Sequence, residues 1–232
     1  MGRDDVPADL FLLALPHMLP AVTHIYNLSI LNAEFPSIWK VSKICPLFKG
    51  GDPGSREGPK NYRLVALLPI GARLLEKIVC EQVMEFLYSR KLLHSRNHGY
   101  REHHGTVTAV LEAQEEALEV IYNGEIVRMI ALDQSAAFDV IEHSILRRKM
   151  ELYGFDPHSL SWFCSYMKDR SQYVYLETSV PEVKVVRPFA CPKGSCLGPL
   201  LWNLYCGEVS EIKPLSTHVA GEEEIIRGGR KR

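Results

Sequence analysis

The chain has 232 residues, of which 46% are hydrophobic and 24% are charged, and its formal net charge at pH 7 is −1. These values are ordinary for a soluble globular protein, and the length suits one large domain or two small ones. They exclude a protein that is coated in positive charge.

The first feature along the chain is an apolar run from Asp9 to Val22, which Pro16, His17 and Pro20 interrupt. The run is shorter than the roughly 20 apolar residues that a membrane-spanning helix needs. No basic start or small-residue cleavage site marks it as a signal peptide. We therefore expect an intracellular protein, in the nucleus or cytoplasm, that is neither secreted nor bound to a membrane.

The next segments predict a loop followed by two helices. Gly50 to Ser55 is dense in Gly, Pro and Asp, which is typical of a turn or exposed loop. Apolar residues at helical spacing predict a helix from Arg73 to Leu92. The same spacing predicts a second helix from Val107 to Ile121, which Asn123-Gly124 would end.

The pattern then changes to that of a strand. Ile126 to Leu132 is a short apolar run, rich in β-forming residues, that stops abruptly at Asp133. Such a run predicts a buried strand. The small residues 135–137 and Phe138-Asp139 follow, and small side chains would let another molecule approach the backbone closely. Asp133 would emerge at the edge of the sheet, although an aspartate here also fits a cap of the next turn.

Downstream, the pattern predicts two more helices and two strands. The first helix runs from His143 to Tyr153 and ends before Gly154. The second begins at Asp156-Pro157, where an N-cap residue is followed by proline at the first helical position, and it continues to Met167. The predicted strands are Gln172–Glu177 and Val183–Arg187, joined by a turn at residues 180–182. The order of elements favours an α+β fold, with helices packed on a mainly antiparallel sheet.

Residues 191–201 hold two glycines and two prolines, which favour a stiff loop before a helix that begins near Pro199. Such a loop would bring main-chain amides near a ligand, or would simply connect a strand to a helix. The six cysteines contain no CxxC pair, so buried free thiols are a better interpretation than a zinc site; they are residues 45, 80, 164, 191, 196 and 206.

Charge is distributed unevenly along the chain. Residues 40–101 hold twelve Lys/Arg against five Asp/Glu, a net of +7, and residues 106–160 hold four against ten, a net of −6. A basic segment followed by an acidic one would place a phosphate-binding surface beside a cation site. Mixed charge on ordinary helix surfaces would give the same counts.

Several segments, in order, resemble the reverse transcriptases of non-LTR retrotransposons of the LINE or jockey type. ALDQSAAFD, at 131–139, is similar to the first catalytic motif of that family, and CPKGSCLGPLLWNLY, at 191–205, is similar to its PQG-type motif. The other matching segments are FPSIWK at 35–40, CPLFKGGDP at 45–53, NYRLVALLP at 61–69, LLEKIV at 74–79 and HGYREHHGT at 98–106.

The resemblance implies an RNA-directed DNA polymerase with the right-hand fold of fingers, palm and thumb, in which an antiparallel palm sheet packs on helices. We expect fingers with an N-terminal extension in residues 1–105, an incomplete palm in 106–215 and a degenerate C-terminal tail in 216–232, without a thumb. The implied partners are an RNA template, a DNA primer and deoxynucleotides, and the oligomeric state is left open.

The resemblance also implies a site for two Mg²⁺ ions, since such enzymes use paired metals to activate the primer hydroxyl. Asp133 would be the first metal ligand. Glu222 and Glu223 occupy the place of the two aspartates of the second catalytic motif, in a sequence that lacks the aromatic residue of that motif. A solvated charge run in the tail is the alternative interpretation of the two glutamates. Asp139 follows Phe138 directly and is not assigned as a ligand.

Further residues take roles by the same match. Phe138 would be the aromatic gate that excludes a ribose 2′-hydroxyl, and Arg63 would contact the triphosphate. Lys193, in place of the family glutamine, and Gly194 belong to the nucleotide-binding loop. Three basic residues are assigned as nucleic-acid contacts or, equally, as solvated surface residues: Lys43, Lys49 and Arg101. His103-His104 is interpreted as a surface pair rather than a metal site.

Three departures from the family pattern predict an impaired or inactive polymerase. They are the two glutamates at the second motif, Lys193 in place of glutamine, and Leu64, which follows Arg63 where the family has proline. The alternatives are a catalytically dead relic or reused fragment that only binds nucleic acid, and a decayed sequence that does not fold stably.

Overall fold

A computed structural model describes residues 6–50, 61–133, 137–174, 185–186, 191–192, 194–207, 216–219 and 222–230 of the chain. For residues 131–133, 185–186, 216–219 and 222–230 the description is of the backbone alone. Helices and small sheets pack together, which confirms the α+β class.

Within the described residues there are six α-helices and seven strands. The helices are α1 (Ala8–Leu31), α2 (Ile70–Ser89), α3 (Thr106–Tyr122), α4 (His143–Leu152), α5 (Pro157–Met167) and α6 (Leu197–Cys206). The strands are β1 (Val41–Phe48), β2 (Tyr62–Leu67), β3 (Glu125–Asp133), β4 (Ser171–Val174), β5 (Val185–Val186), β6 (Ser216–Val219) and β7 (Glu222–Arg230).

The chain divides into two compact units that alternate along the sequence. Unit 1 comprises Met1–Cys80 and Glu142–Gly198, and unit 2 comprises Glu81–Ile141 and Pro199–Arg232. Unit 1 holds a four-stranded sheet of order β2-β1-β4-β5, and unit 2 holds a three-stranded sheet of order β3-β7-β6. The described strands thus form two small sheets, one in each unit.

All strand pairs in these sheets are antiparallel except one. β1 and β4 run parallel, with Val41 opposite Ser171 and Ile44 opposite Val174. Parallel neighbours need a long connection. Here more than a hundred residues, including four helices, lie between the two strands.

Helix α1 corrects the expectation that the early apolar run is too short to span a membrane. The helix continues past Val22 to Leu31 and has 24 residues, with Pro16 and Pro20 inside it. By length and composition alone it is long and apolar enough to cross a bilayer. A core helix of a soluble protein can meet the same criteria, so this finding does not assign the helix to a membrane.

The C-terminal half of α1 is attached to the core of unit 1 by hydrogen bonds. The hydroxyl of Tyr26 donates to the Gly71 carbonyl at 2.8 Å, and the Trp162 indole donates to the Ser29 hydroxyl at 3.0 Å. Gly71 is required at its position because an added Cβ would lie 2.9 Å from the Trp39 ring. These contacts fix α1 on the helices and strands that follow it.

Strand β3 forms where the apolar run predicted it, but the prediction that it is buried is wrong. Ile126, Met129 and Ile130 are 52%, 50% and 44% exposed. β3 is the end strand of its sheet and packs against α3. Its apolar side chains are left partly in solvent although α3 packs on this sheet.

The other predicted elements agree with the structure to within a few residues, because their local signals are strong. Asp156 caps α5 by accepting from the backbone N–H groups of His158 and Ser159, as its position before Pro157 indicated. Gly124 and Gly154 follow α3 and α4 with φ of +78° and +85°, which suits glycine at a helix end. Parts of the predicted loop at 50–55 and of the predicted strands at 172–177 and 183–187 lie outside the described residues, as does the turn at 180–182.

The core of unit 1 is an aromatic cluster around Phe35, which is 1% exposed. Its ring lies 6.1 Å from Trp39, 5.7 Å from Trp162 and 5.0 Å from Tyr166, measured between ring centroids, with edge-to-face geometry. The Arg170 guanidinium lies 5.2 Å from the centre of the same ring. Such pairs contribute beyond the area they bury.

We predict that Phe35→Ala lowers the free energy of unfolding by about 3–5 kcal/mol, because it leaves a cavity at the centre of this cluster. Urea denaturation followed by tryptophan fluorescence measures the change. Ile38→Ala is the matched control, since Ile38 is 75% exposed and close in sequence. Equal losses for the two variants would contradict the assignment of Phe35 to the core.

Candidate functional site

The acidic positions of the predicted metal site lie on neighbouring strands of unit 2. β3 ends at Asp133, and the antiparallel register pairs Asp133 with Glu222 and Leu132 with Glu223. Neighbouring residues of a strand alternate between the two faces of a sheet. Positions 133 and 222 therefore share one face, and position 223 belongs to the other. The register brings Glu222, and not Glu223, to Asp133.

The C-terminal residues form a hairpin in this sheet. β6 pairs with β7, with Val219 opposite Glu222. Two residues, 220 and 221, lie between the paired positions and are outside the described part. β7 is thus central in the sheet, with β3 on one side and β6 on the other, and α3 packs against all three strands.

Two acidic positions on one face could supply carboxylate ligands to a divalent cation. Residues directly opposite in an antiparallel ladder have Cα atoms about 4.5–5.5 Å apart. Carboxylate oxygens are the ligands that Mg²⁺ prefers in proteins. Among residues whose side chains are described, no group of three or more His, Cys, Asp or Glu is arranged to hold a metal. His103, whose side chain is 88% exposed, and His104 belong to no such group among these residues.

Phe138 and Asp139 lie in a short 3₁₀ turn, Ala137–Asp139, that follows β3 after three undescribed residues. The Phe138 ring is half-buried and packs on Trp202 of α6, with ring centroids 6.0 Å apart. Trp202 is 2% exposed. The predicted gate therefore has a rigid aromatic support in unit 2.

Three of the predicted basic residues lie on or beside the β1–β2 hairpin of unit 1. Leu47 is opposite Arg63 and Lys43 is opposite Leu67, so Lys43 and Arg63 share one face of the sheet. The other face is the core side, where Ile44 is 3% exposed. Arg63 is exposed, and Lys49 is exposed directly after β1. This surface is called the hairpin face below.

Arg101 is placed differently. Its Nη1 atom donates to the carbonyl oxygens of His94 at 2.7 Å and Asn97 at 2.9 Å. Its guanidinium also lies 5.8 Å from the centre of the Tyr88 ring. These contacts give Arg101 a structural role in folding the loop 94–101, and a contact with nucleic acid stays a prediction.

The predicted nucleotide loop passes directly over β2 in unit 1. Gly194 has a φ of +97°, and a Cβ there would lie 2.8 Å from the Ala66 carbonyl oxygen. Only glycine fits this combination of backbone conformation and close approach. Lys193 lies outside the described residues, so the structure does not place its side chain.

A buried carboxylate that the sequence did not single out holds this loop in position. Glu76 of α2 is 0% exposed. One of its oxygens accepts from the Cys196 backbone N–H at 2.9 Å, and the other accepts from the Tyr166 hydroxyl at 3.0 Å. The Arg170 guanidinium lies 3.7 Å away. The sequence feature that could have identified Glu76 is its position as an acidic residue on the apolar side of α2, next to Leu75.

The loop is also closed on itself. Ser195 donates its backbone N–H to the Pro192 carbonyl at 3.0 Å, and its hydroxyl accepts from the Gly198 N–H at 2.8 Å. The Cys191 thiol lies 3.8 Å from the Ser195 hydroxyl, and burial raises the pKa of that thiol to about 12. Cys191 is therefore a neutral packing residue. All six cysteines are free thiols, as expected, but only Cys191 and Cys206 are buried and the other four are partly exposed.

Burial also raises the pKa of the Glu76 carboxyl, although Arg170, the Cys196 amide and the Tyr166 hydroxyl each lower it. The native state then holds the proton more tightly than the unfolded state. This raises the free energy of unfolding fully at pH values below the pKa that Glu76 has in the unfolded chain. The gain is lost as the pH rises through the pKa that Glu76 has in the folded protein.

We predict that the unfolding free energy of the native chain falls relative to that of Glu76→Gln as the pH rises from about 4. Urea denaturation at a series of pH values measures the difference. Glu85→Gln, at an exposed position of the same helix, is the control for the loss of a glutamate from that helix. A difference that grows in favour of the native chain with rising pH would contradict the raised pKa.

Residues 49–220 match the family described as reverse transcriptase (RNA-dependent DNA polymerase). A probable RNA-directed DNA polymerase from the transposon BS of Drosophila melanogaster is 29% identical over 202 residues, which are 87% of this chain and 22% of that protein. The RNA-directed DNA polymerase from the mobile element jockey of the same species is 26% identical, with the same coverage of 87% and 22%. The chain thus spans 22% of the length of both relatives.

Solved structures agree on the fold. The apo telomerase of Candida tropicalis, truncated from its C-terminal domain, matches with a TM-score of 0.56 at 11% identity, over 82% of this chain and 44% of that one. Telomerase of the same species in complex with a TWJ fragment of telomeric RNA gives 0.58 at 11% identity, over 84% and 37%. The resemblance to retrotransposon polymerases is confirmed, and the chain belongs to the reverse transcriptase (RNA-dependent DNA polymerase) family.

Proposed function

We propose that the chain is the RNA-directed DNA polymerase domain of a retrotransposon and that its catalytic centre is the pair Asp133 and Glu222. The observation that carries the proposal is the strand register, which pairs these two acidic positions where β3 ends and β7 begins. The family match and the retrotransposon relatives support the reaction class. The substrates would be an RNA template, a DNA primer and deoxynucleotides, inside the cell.

In this mechanism the protein's own groups bind and orient the reactants. Asp133 and Glu222 would hold divalent cations, with Mg²⁺ as the expected ion. Two bound Mg²⁺ ions supply Lewis-acid stabilisation of the attacking and leaving oxygens. Arg63 would bind the triphosphate through charge-assisted hydrogen bonds, and Phe138 would close the sugar pocket against a 2′-hydroxyl.

The same centre explains why we expect weak activity. Glutamate is one methylene longer than aspartate, which moves its carboxylate by roughly 1.5 Å. Mg²⁺ demands near-octahedral geometry, and a misplacement of about 1 Å can reduce a rate about 10²-fold. Because Glu222 shares a face with Asp133, the extra methylene at 222 would matter most.

We predict that Glu222→Asp raises primer extension on an RNA template about 10- to 100-fold, because it restores the shorter carboxylate beside Asp133. Glu223→Asp is the matched control, since position 223 belongs to the other face, and it should change the rate less than about threefold. Single-nucleotide incorporation in Mg²⁺ and in Mn²⁺ measures both variants.

Loss of the metal ligand supplies the second control. Asp133→Asn should abolish incorporation in the Glu222→Asp background, and Asp9→Asn, at an exposed position of α1, should not. A higher incorporation rate in Glu223→Asp but not in Glu222→Asp, or incorporation that persists in Asp133→Asn, would contradict the assignment of Asp133 and Glu222 as the catalytic pair.

A second candidate is a protein that binds nucleic acid without catalysis. The hairpin face favours it, since Lys43 and Arg63 share one side of the β1–β2 pair and Lys49 follows it. Phosphate contacts release counterions, so both candidates give salt-dependent binding, and only incorporation separates them.

We predict that Lys43→Gln weakens binding to single-stranded RNA similarly for different sequences. The dependence of log K on log salt concentration should become less steep by about 0.7, the change expected for one lost phosphate contact. Fluorescence anisotropy at several salt concentrations measures the slope. Lys168→Gln, at an exposed lysine after α5, is the control and should leave the slope unchanged. An unchanged slope in Lys43→Gln would remove the hairpin face from the binding surface.

A further inference from the structure

Phe138 has a second aromatic neighbour besides Trp202. The Tyr100 ring lies 6.4 Å from the Phe138 ring between centroids, with the planes tilted by 58°. Trp202 lies 6.0 Å from Phe138, with the planes tilted by 57°. Both distances fall in the range in which aromatic rings attract each other. The Phe138 ring therefore has one aromatic partner in the core and one near the surface.

The two partners differ in burial. Trp202 is 2% exposed and belongs to the core of unit 2, whereas Tyr100 is 52% exposed. A side chain that is half in solvent gains only part of the free energy of a buried ring. Core packing alone therefore does not account for the placement of Tyr100.

The backbone of Tyr100 is strained. Its φ is +51°, in the left-handed region that a bulky residue rarely adopts. Such a conformation persists only where the surrounding structure fixes it, and it clusters at functional sites. A strained backbone that carries a half-exposed ring lowers the free energy of unfolding, so a role other than stability is indicated.

Hydrogen bonds fix this backbone on the N-terminal side. The Gly99 carbonyl accepts from the Asn203 side-chain amide at 2.8 Å, and the Gly99 N–H donates to the Asn97 side chain at 3.1 Å. Asn203 is 1% exposed and follows Trp202 directly in α6. One turn of α6 thus supports the Phe138 ring and also fixes the segment that carries Tyr100.

The residue after Tyr100 fixes the other side. Arg101 donates to the carbonyls of His94 and Asn97 at 2.7 and 2.9 Å. Tyr100 is held between two anchored neighbours, which fix the backbone from which its ring extends.

We propose that Tyr100 is a positioning residue for sugar selection, which confines the Phe138 ring between itself and Trp202. The inference rests on the proposed polymerase function, in which Phe138 excludes the ribose 2′-hydroxyl. A steric gate discriminates only if its ring cannot move aside when the larger sugar enters. Trp202 supplies the buried aromatic contact of the ring and Tyr100 the half-exposed one, and in the proposal the two contacts together restrict its movement.

The test compares Tyr100→Leu, which removes the ring, with Tyr100→Phe, which retains it. Both variants keep a non-glycine residue at the strained position, so the backbone strain is matched. Tyr122→Leu is the surface control, because Tyr122 is 92% exposed at the end of α3. The measured quantity is the ratio of kcat/KM for a deoxynucleotide to that for the matching ribonucleotide, in the Glu222→Asp background with Mn²⁺.

We expect the ratio to fall roughly two- to tenfold in Tyr100→Leu, the range that corresponds to loss of one aromatic pair. Tyr100→Phe and Tyr122→Leu should keep the native ratio. A purely structural role would lower both kcat/KM values together and leave the ratio unchanged, and that result would overturn the inference.

A second measurement does not depend on activity. 4-Fluorophenylalanine placed at position 138 reports the environment of the ring by ¹⁹F NMR. The resonance should shift and change width in Tyr100→Leu, and should stay near its native position in Tyr100→Phe and Tyr122→Leu. If no variant incorporates any nucleotide, the proposed function fails while the fluorine spectrum still decides whether Tyr100 confines Phe138. An unchanged spectrum in Tyr100→Leu would refute the inference.

Discussion

The candidate centre depends on the backbone pairing of β3 with β7. This ladder joins Asp133 to Glu222, residues 89 positions apart, and extends from Glu125 and Arg230 at one end to that pair at the other. Because a strand repeats every two residues, a slip by one position would exchange Glu222 for Glu223 on the face of Asp133. The chemistry of the site is thus decided by register as well as by which acids the sequence contains.

Unit 1 relies on a different constraint, a carboxylate and a guanidinium that are both buried. Removing such charges from water is costly, and one left without its partner destabilises a fold by several kcal/mol, on the order of 3–5. We therefore interpret Glu76 and Arg170 mainly as residues that position neighbouring elements, and not as a source of stability. Glu76 joins α2 to the Cys196 amide and the Tyr166 hydroxyl, and so it sets the loop that contains Gly194. The close approach of Gly194 to Ala66 then leaves that loop little freedom.

Local signals in the sequence predicted local structure well. The cap at Asp156, the glycines after α3 and α4, and the abrupt end of an apolar run at Asp133 each depend on a few neighbouring residues, and each predicted element is present. The pairing of β3 with β7 could not be predicted in this way, because strand register between distant segments is decided by tertiary packing. From the sequence alone, nothing indicated which of the neighbouring residues Glu222 and Glu223 lies on the same face of the sheet as Asp133.

Burial and side-chain networks were equally beyond the local pattern. The exposure of Ile130 depends on which parts of the sheet other elements cover, which no run of apolar residues reveals. Glu76 stood in a recognisable motif, but its partners come from α5 and from the loop before α6. Tyr100 likewise stood in a motif, and its ring contact with Phe138 depends on a positive φ that the sequence does not show.

The most direct test of the central claim is Mn²⁺ binding to the purified chain, followed by electron paramagnetic resonance of the free ion. If Asp133 and Glu222 together form the cation site, Asp133→Asn and Glu222→Gln should each weaken binding, and Glu223→Gln should bind as the native chain does. Equal binding by all four proteins, or a loss confined to Glu223→Gln, would contradict the pairing on which the proposed function stands.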